Sequence, residues 1–315
     1  MFPCKALVTG GAGFIGSHLV DALLEKRCDV TVLDNLSSGR LSNIEHVKDR
    51  IVFCQGDIRD PDILLKTVKD CSLIFHLAAV VSVPQTVEDP MDSALVNEIG
   101  TLQVLETARR SGVQQVVLSS SCAVYGDDPQ LPKNERMNVK PLSPYAVQKL
   151  SGEYYARLYH ELYGMRTLSL RYFNVYGPRQ DPGSPYSGVI SIFMRKALSG
   201  QPALIYGDGN QSRDFVFVKD VVRANLLAAD CGDTRGQIFN IGTATPVTIK
   251  RLWQMVCQMS GQDMDPEFAA PRPGEVFASV ADIGAARSIL GFVPEYAIEK
   301  GLAETMKWHR GAGRT

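Results

Sequence analysis

Tyr145 and Lys149 stand four residues apart in Ser143-Pro144-Tyr145-Ala146-Val147-Gln148-Lys149. Ser-Pro suits a helix start, the stretch to Tyr163 reads as helix, and the spacing then sets both side chains on one face. A phenol with a pKa of about 10 is a poor base at neutral pH, but a nearby ammonium favours the phenolate. The same spacing also fits an exposed pair on a solvated helix, so its weight comes from its surroundings. Ser119-Ser120-Ser121-Cys122-Ala123-Val124-Tyr125-Gly126 follows an apolar run, and ligands of doubly wound sheets lie beyond the carboxyl ends of strands. Ser121 is there placed to hydrogen-bond a reacting hydroxyl, unless these serines merely satisfy loop backbone.

Thr9-Gly10-Gly11-Ala12-Gly13-Phe14-Ile15-Gly16 follows the first strand-like run and leads into a helix with apolar residues at Ile15, Leu19, Ala22 and Leu23. Glycines at 10, 13 and 16 allow a tight turn, backbone approach to a pyrophosphate and close helix–sheet contact, and the helix amino terminus offers free N–H groups. Glycine-rich turns are common, so the motif alone is weak. Asp34 strengthens it: it ends the second strand 18 residues after Gly16, where a carboxylate accepts hydrogen bonds from both hydroxyls of an adenosine ribose. It also repels a 2′-phosphate, which favours NAD over NADP. Asp57, in Gly56-Asp57-Ile58 after the third strand, either meets the adenine amino group or caps the next helix. A nicotinamide cation would join the Lys149 ammonium in favouring a Tyr145 phenolate.

The elements that must position these groups are legible as short apolar runs at Lys5 to Thr9, Val30 to Asp34, Ile51 to Gln55, Leu73 to Leu77, Val116 to Ser119 and Thr167 to Arg171, alternating with helix-length amphipathic segments. That rhythm predicts an α/β fold, with a Rossmann-type doubly wound parallel sheet over residues 1–175 carrying the NAD site. Past Asn174 come Gly- and Pro-rich loops and short mixed elements, ending in a helical pattern at Ile298 to Trp308. Residues 176–315 are expected to form a smaller α/β region for the substrate, with Val216 to Ala229 packing back on the first domain. Lys plus Arg (33) nearly balance Asp plus Glu (34) without a basic block, so no partner nucleic acid or anionic membrane is indicated. Seven scattered cysteines without a CxxC pair argue against both a disulfide framework and a zinc site, and for a reducing, cytoplasmic setting. MFPCKALVTGG runs straight into a strand without a basic and then apolar leader, and no apolar run reaches about 18 residues, so neither secretion nor anchoring is expected.

Together TGGAGFIG, Asp34, the HLAA stretch from His76 to Ala79, Asn97, SSSCAVYG, PYAVQK and RYFNVYGPR resemble the extended short-chain dehydrogenase/reductase family, in order and over the whole chain. The resemblance implies that Ser121, Tyr145 and Lys149 are the catalytic triad, with Lys149 also holding the nicotinamide ribose, and that His76 is structural. It implies an NAD site built from Gly10, Gly13, Phe14, Ile15 and Gly16, from Asp34, Asn35, Ser38 and Gly39, from Asp57 and Ile58, and from Leu77, Ala78, Ala79, Asn97, Ser119 and Tyr172 beside Tyr145 and Lys149. A homodimer on two helices per subunit, near Thr101 to Arg110 and Ala146 to Tyr163, is implied as well.

Residues after the catalytic serine discriminate among the family's reactions. Its 4,6-dehydratases carry Asp-Glu after their Thr, and the UDP-xylose-forming decarboxylases a Glu. Cys122 and Ala123 stand there in this chain and cannot do that acid–base work, which brings it closer to the 4-epimerases. The stretch from Arg171 to Pro182 and Ser212-Arg213-Asp214-Phe215 look particularly like UDP-N-acetylhexosamine 4-epimerases. By that resemblance Asn174, Arg213 and Arg272 bind the UDP diphosphate and neighbouring groups, since guanidinium forks suit phosphate oxygens, and Ser82 and Val189 join Ser121 and Tyr145 at the substrate. A residue within Phe277-Ala278-Ser279-Val280-Ala281-Asp282 sets sugar size, and the small Ser279 leaves room for an N-acetyl group. The implied activity is NAD-dependent 4-epimerisation of UDP-N-acetylglucosamine and UDP-N-acetylgalactosamine through a 4-keto sugar, with UDP-glucose and UDP-galactose as a further pair. The alternatives are a UDP-glucose or UDP-glucuronate 4-epimerase, another nucleotide-sugar dehydratase or decarboxylase, and a non-catalytic NAD-binding module. Modules of that last kind usually lack the Tyr or Lys that this chain keeps.

Overall fold

A computed structural model describes residues 5–181, 188–232, 234–271 and 276–312. The first half alternates as its apolar runs predict: β1 (Lys5–Thr9), α1 (Phe14–Glu25), β2 (Asp29–Asp34), β3 (Ile51–Gln55), α2 (Pro61–Thr67), β4 (Leu73–His76), α3 (Val83–Glu88), α4 (Pro90–Ala94), a π-helical turn (Leu95–Gly100), α5 (Thr101–Arg110), β5 (Gln115–Ser121), α6 (Pro144–Tyr163) and β6 (Arg166–Tyr172). The ends of α6 follow from local chemistry. Ser143 Oγ accepts from the Ala146 N–H (3.2 Å), Pro144 has no N–H to lose in the first turn, and Gly164 leaves the helix at φ +67°.

The second half contributes β7 (Asn174–Tyr176), α7 (Val189–Leu198), β8 (Leu204–Tyr206), β9 (Ser212–Phe217), α8 (Val218–Asp230), β10 (Gln237–Ile241), β11 (Pro246–Thr248), α9 (Ile249–Ser260), β12 (Glu267–Ala269), β13 (Ala278–Ser279) and α10 (Ile298–Ala312). Among the described residues, a parallel sheet runs β10-β6-β5-β4-β1-β2-β3. Its inner strands are buried on both faces, which is why they read as continuous apolar runs. One face is covered by α1 and α8 through Leu19, Leu23, Val221 and Ala224. The other is covered by α2, α5 and α6 through Leu64, Val104, Leu105 and Ala156. Strand order reverses between β1 and β4, the switch point beyond which such sheets hold their ligands.

The chain does not part at a single point near residue 175. β10 pairs with β6, Gln237 opposite Leu168, and so forms the edge of the large sheet, while α8 lies against α1. The remaining strands form two small sheets, β9 with β11, β13 and β7, and β12 with β8. They share a separate core of Phe193, Phe217, Trp253 and Leu302.

Candidate active site

Ser121 ends β5 and Tyr145 opens α6, and their side chains hydrogen-bond each other beyond the carboxyl end of the sheet. Lys149 lies one turn further along α6. Its Nζ donates to Ser119 O (3.0 Å) and Ser119 Oγ (3.3 Å) and stands 6.0 Å from the centre of the Tyr145 ring. Ser119, expected at the cofactor, thus holds the ammonium. Burial pushes the Tyr145 phenol up to about 12, against the bond from Ser121, and brings the Lys149 ammonium down to about 8. Burial thus works against the phenolate, and a cation beside the phenol would work for it.

The dinucleotide end fits NAD. Helix geometry leaves the N–H groups of Phe14, Ile15 and Gly16 without intrahelical acceptors, and Gly13, at the cap position, supplies no side chain to satisfy them. A side chain on Gly16 would come within 2.1 Å of Gly10 O, and one on Gly10, at φ +71°, within 2.8 Å of the Ala78 nitrogen. Both glycines bring the turn against its neighbours, whereas a Cβ on Gly13 would meet only Gly10 O, at 3.1 Å, within 4 Å. Asp34 is 7% exposed. Its Oδ2 accepts from the Ala12 N–H (2.9 Å) and its Oδ1 from the Leu36 N–H (2.8 Å), each oxygen keeping capacity for a ligand hydroxyl. A Cβ on Gly39 would lie 2.7 Å from Asp34 Oδ1, so the loop after β2 depends on glycine there to lie over the carboxylate. Asn35 and Ser38 are exposed in that loop, and Asn35 Nδ2 donates to Asp57 Oδ2 (3.0 Å). Asp57 does not cap α2. Asp60 does, accepting from the Asp62 and Ile63 N–H groups, and Asp57 is gripped by Arg59, which holds its carboxyl down at about 2. Ile58 is buried in the core beside Gly100.

After β4, the Leu77 N–H donates to Thr9 O (3.1 Å) and the Ala78 N–H to Thr9 Oγ1 (3.3 Å), which fixes Leu77, Ala78 and Ala79 beside the glycine turn. Asn97 clamps Val80: its Oδ1 accepts from the Val80 N–H (2.8 Å), and its Nδ2 donates to Val80 O (2.9 Å) and Gln148 Oε1 (2.7 Å). Its reach toward a cofactor is therefore through the loop it holds. Tyr172 packs in the core against α8, where its hydroxyl donates to Asn225 Oδ1 (3.0 Å). His76 is buried between Thr9 and Thr101. The Thr101 hydroxyl donates to Asn97 O (2.7 Å), so Nε2 of His76 is the donor to Thr101 and Nδ1 the acceptor from Thr9. Burial lowers this imidazole to about 3, and it stays neutral.

Among the residues expected at the substrate, Ser279 in β13 lies opposite Arg213 in β9 and hydrogen-bonds Cys122, whose thiol burial pushes up to about 11. Arg213 Nη1 donates to Ser212 O (2.9 Å) and Phe277 O (3.3 Å). Asn174 Nδ2 donates to Asp214 O (3.1 Å). Ser82 caps α3 by accepting from the Gln85 N–H (3.1 Å), a local duty that accounts for its residue type. Val189, half-buried, opens α7. Arg272 lies outside the described residues.

Several groups escaped the sequence reading. Asp214, fully buried, accepts from Thr243 N–H and hydroxyl (both 2.7 Å), Ala244 N–H (2.9 Å) and Ala281 N–H (3.1 Å), tying β13 to β9 and to the loop after β10. In the sequence it stood only as the acid beside Arg213 in Ser212-Arg213-Asp214-Phe215, with nothing to mark it as buried. A cavity of about 740 Å³ beside Arg213 is walled by Tyr206, Phe268 and Phe277, with Asp208 and Gln211 as polar groups. The Gly207-Asp208-Gly209 turn was its trace in the sequence.

Comparison with known proteins agrees with this geometry. The profile of the NAD dependent epimerase/dehydratase family matches residues 6–242. A UDP-glucose 4-epimerase of Mycolicibacterium smegmatis is 43% identical over 311 residues, covering 97% of this chain and 98% of the relative. Among solved structures, UDP-glucose 4-epimerase of Thermotoga maritima with UDP-glucose superposes with a TM-score of 0.93 at 40% identity, over 98% of this chain and 99% of that one. UDP-N-acetylglucosamine 4-epimerase of Methanobrevibacter ruminantium, in complex with UDP-N-acetylmuramic acid, gives 0.95 at 40% identity, over 99% and 100%. A glycine turn on a parallel sheet, a buried carboxylate at the end of the neighbouring strand and a Ser-Tyr-Lys group beyond the carboxyl ends of the strands are thus joined by sequence to a known set of enzymes, and this chain belongs to the NAD-dependent epimerase/dehydratase family, with NAD as its cofactor.

Proposed function

We propose that the protein is a UDP-sugar 4-epimerase that interconverts UDP-N-acetylglucosamine and UDP-N-acetylgalactosamine through a 4-keto sugar. NAD, when bound, supplies a reversible hydride acceptor and a cation beside the buried Tyr145 phenol. Tyr145 takes the proton of the sugar 4-hydroxyl, and Ser121, already bonded to Tyr145, steadies that oxygen. Lys149, held by Ser119, keeps a positive charge beside them and takes the nicotinamide ribose. The keto sugar then turns about its bond to the diphosphate and presents its other face, so the protein must grip the nucleotide and leave the sugar loose. Arg213, Asn174 and Arg272 hold the diphosphate. The aromatic-walled cavity beside Arg213 takes the uracil, a flat ring that stacks on Phe268 or Phe277 while Asp208 and Gln211 meet its polar edge.

Epimerisation is favoured over elimination by Cys122 and Ala123. A thiol raised to about 11 and a methyl group provide no acid–base pair next to Ser121. The observation that carries the sugar assignment is the small Ser279 facing Cys122 on the strand paired with Arg213, where a bulky residue would take the volume of an N-acetyl group. A second reading, UDP-glucose 4-epimerase, is favoured by the M. smegmatis and T. maritima relatives. We also propose a cytoplasmic homodimer. Val147, Tyr154, Leu158 and Leu162 form an exposed apolar stripe on α6, continued by Met91, Leu95 and Ile99, a face suited to a second copy.

The test is incubation of the NAD-loaded protein with UDP-N-acetylglucosamine, UDP-glucose and UDP-glucuronate separately. Preferential formation of UDP-N-acetylgalactosamine supports the assignment; conversion of UDP-glucose or UDP-glucuronate alone removes the Ser279 argument and keeps the mechanism.

A further inference from the structure

Glu153 lies one turn beyond Lys149 on α6 and is 2% exposed. Arg171, on β6 and also 2% exposed, donates from Nε to Oε1 (2.8 Å) and from Nη2 to Oε2 (2.7 Å), and Ser120 Oγ donates to Oε1. The guanidinium carbon sits 4.8 Å from the centre of the Tyr125 ring. Such a pair is a weak stabiliser, because taking two charges out of water largely offsets their attraction, and packed apolar side chains often serve as well or better. Stability alone is a poor reason for it here.

Its place beside Lys149 supplies another. The hydrogen bonds of Lys149 Nζ go to Ser119 O and Oγ, both neutral. The titratable and charged groups facing the ammonium are Tyr145 and Glu153 on its own helix, the neutral His76 on β4 and, behind Glu153, Arg171 on β6. Of these Glu153 carries the negative charge. We propose that Glu153 is a positioning residue for the Ser121–Tyr145–Lys149 group: its carboxylate keeps Lys149 an ammonium beside Tyr145, and Arg171 clamps that carboxylate a turn away, so that the ammonium stays on Ser119 and does not collapse onto it. The attraction of Glu153 opposes the burial that lowers Lys149. Neutralising it lets the lysine lose its proton at lower pH, and the favourable field on the phenolate goes with it. The assignment rests on the catalytic reading of Lys149.

Wild type, Glu153→Gln, Glu153→Asp, Glu153→Gln/Arg171→Met and Lys149→Met are compared as NAD-loaded proteins, by the pH dependence of kcat and by NMR titration of 15N-labelled lysine Nζ, the Lys149 signal being identified by its absence in Lys149→Met. The double variant leaves no unpaired Arg171 charge in the core, so its titration is readable even where the single variant unfolds. The expected result is that the alkaline limb and the Lys149 titration both move down by about one pH unit in Glu153→Gln, by less in the double variant, where the Arg171 charge goes too, and part of the way back in Glu153→Asp. Limb and titration that coincide with wild type in the double variant, with only thermal stability altered, overturn the proposal. Lys149→Met that retains turnover refutes the catalytic reading itself, whatever Glu153 does; an inactive Lys149→Met together with a Lys149 titration that does not move in the Gln variants refutes the positioning role alone.

Discussion

At the glycine-turn end of the site, each hydrogen bond that fixes the surroundings runs through a backbone N–H, around a large sheet covered on both faces: Asp34 is held by Ala12 and Leu36, the Leu77 loop by the Thr9 side chain, Val80 by the Asn97 side chain. At the end proposed for the sugar, Ser279 and Arg213 sit on a two-residue strand and its partner, and one carboxylate, Asp214, ties the surroundings together while Phe268 and Phe277 stand 52% and 67% exposed. The contrast separates two tasks. Proton and hydride chemistry needs groups fixed within tenths of an ångström, whereas choosing a sugar needs only a wall whose size can change.

The comparison can be broken at either end. The largest effect belongs to the rigid end: Tyr145→Phe should lower kcat by about 10²- to 10⁴-fold, with NAD content and melting temperature unchanged. Wild-type turnover in that variant would place the chemistry elsewhere. At the thin end, Ser279→Tyr should reduce kcat/KM for UDP-N-acetylglucosamine by about 10- to 200-fold relative to UDP-glucose; equal losses on both sugars would show that β13 does not select. Asp214→Asn puts an amide NH2 against N–H and hydroxyl donors, and urea unfolding should report a loss of about 2 kcal/mol. An unmoved midpoint would mean that the sugar end holds together without it. The smallest effect is at the adenosine corner. Arg59 holds Asp57 below its ordinary 3.8, at about 2, so the pair adds stability that is present above about pH 4 and lost as pH falls toward 2. The side chains are 26% and 38% exposed, which limits that contribution to at most about 1 kcal/mol. Acid unfolding of Asp57→Asn should accordingly be flatter across this interval than that of wild type.

The large sheet was legible because buried parallel strands carry a local signature, and α6 because Ser143-Pro144 and Gly164 mark its ends chemically. β10 joins the same sheet, yet Gln237-Ile238-Phe239-Asn240-Ile241 names no neighbour, since strand pairing across the chain leaves no local trace. The Ser121–Tyr145–Lys149 group was legible through spacing and surroundings; Glu153 and Arg171 were not, because an acid in a helix and a base in a strand look like surface residues until the fold buries them against each other. Tyr172 and Asn97 show the converse. Their motif positions were readable, but the directions of their side chains depend on Asn225 and Val80, which lie far along the chain or in another loop.

The edge position of β10 also bears on how the protein is made. A growing chain that has delivered β6 presents an unpaired strand edge, and nothing covers it until Gln237–Ile241 has left the ribosome and crossed over to it. During that interval the half-made protein is open to pairing with other chains, so the exposure to aggregation is set by translation speed and chaperone supply, and a fragment ending near residue 175 should be recovered largely as insoluble material.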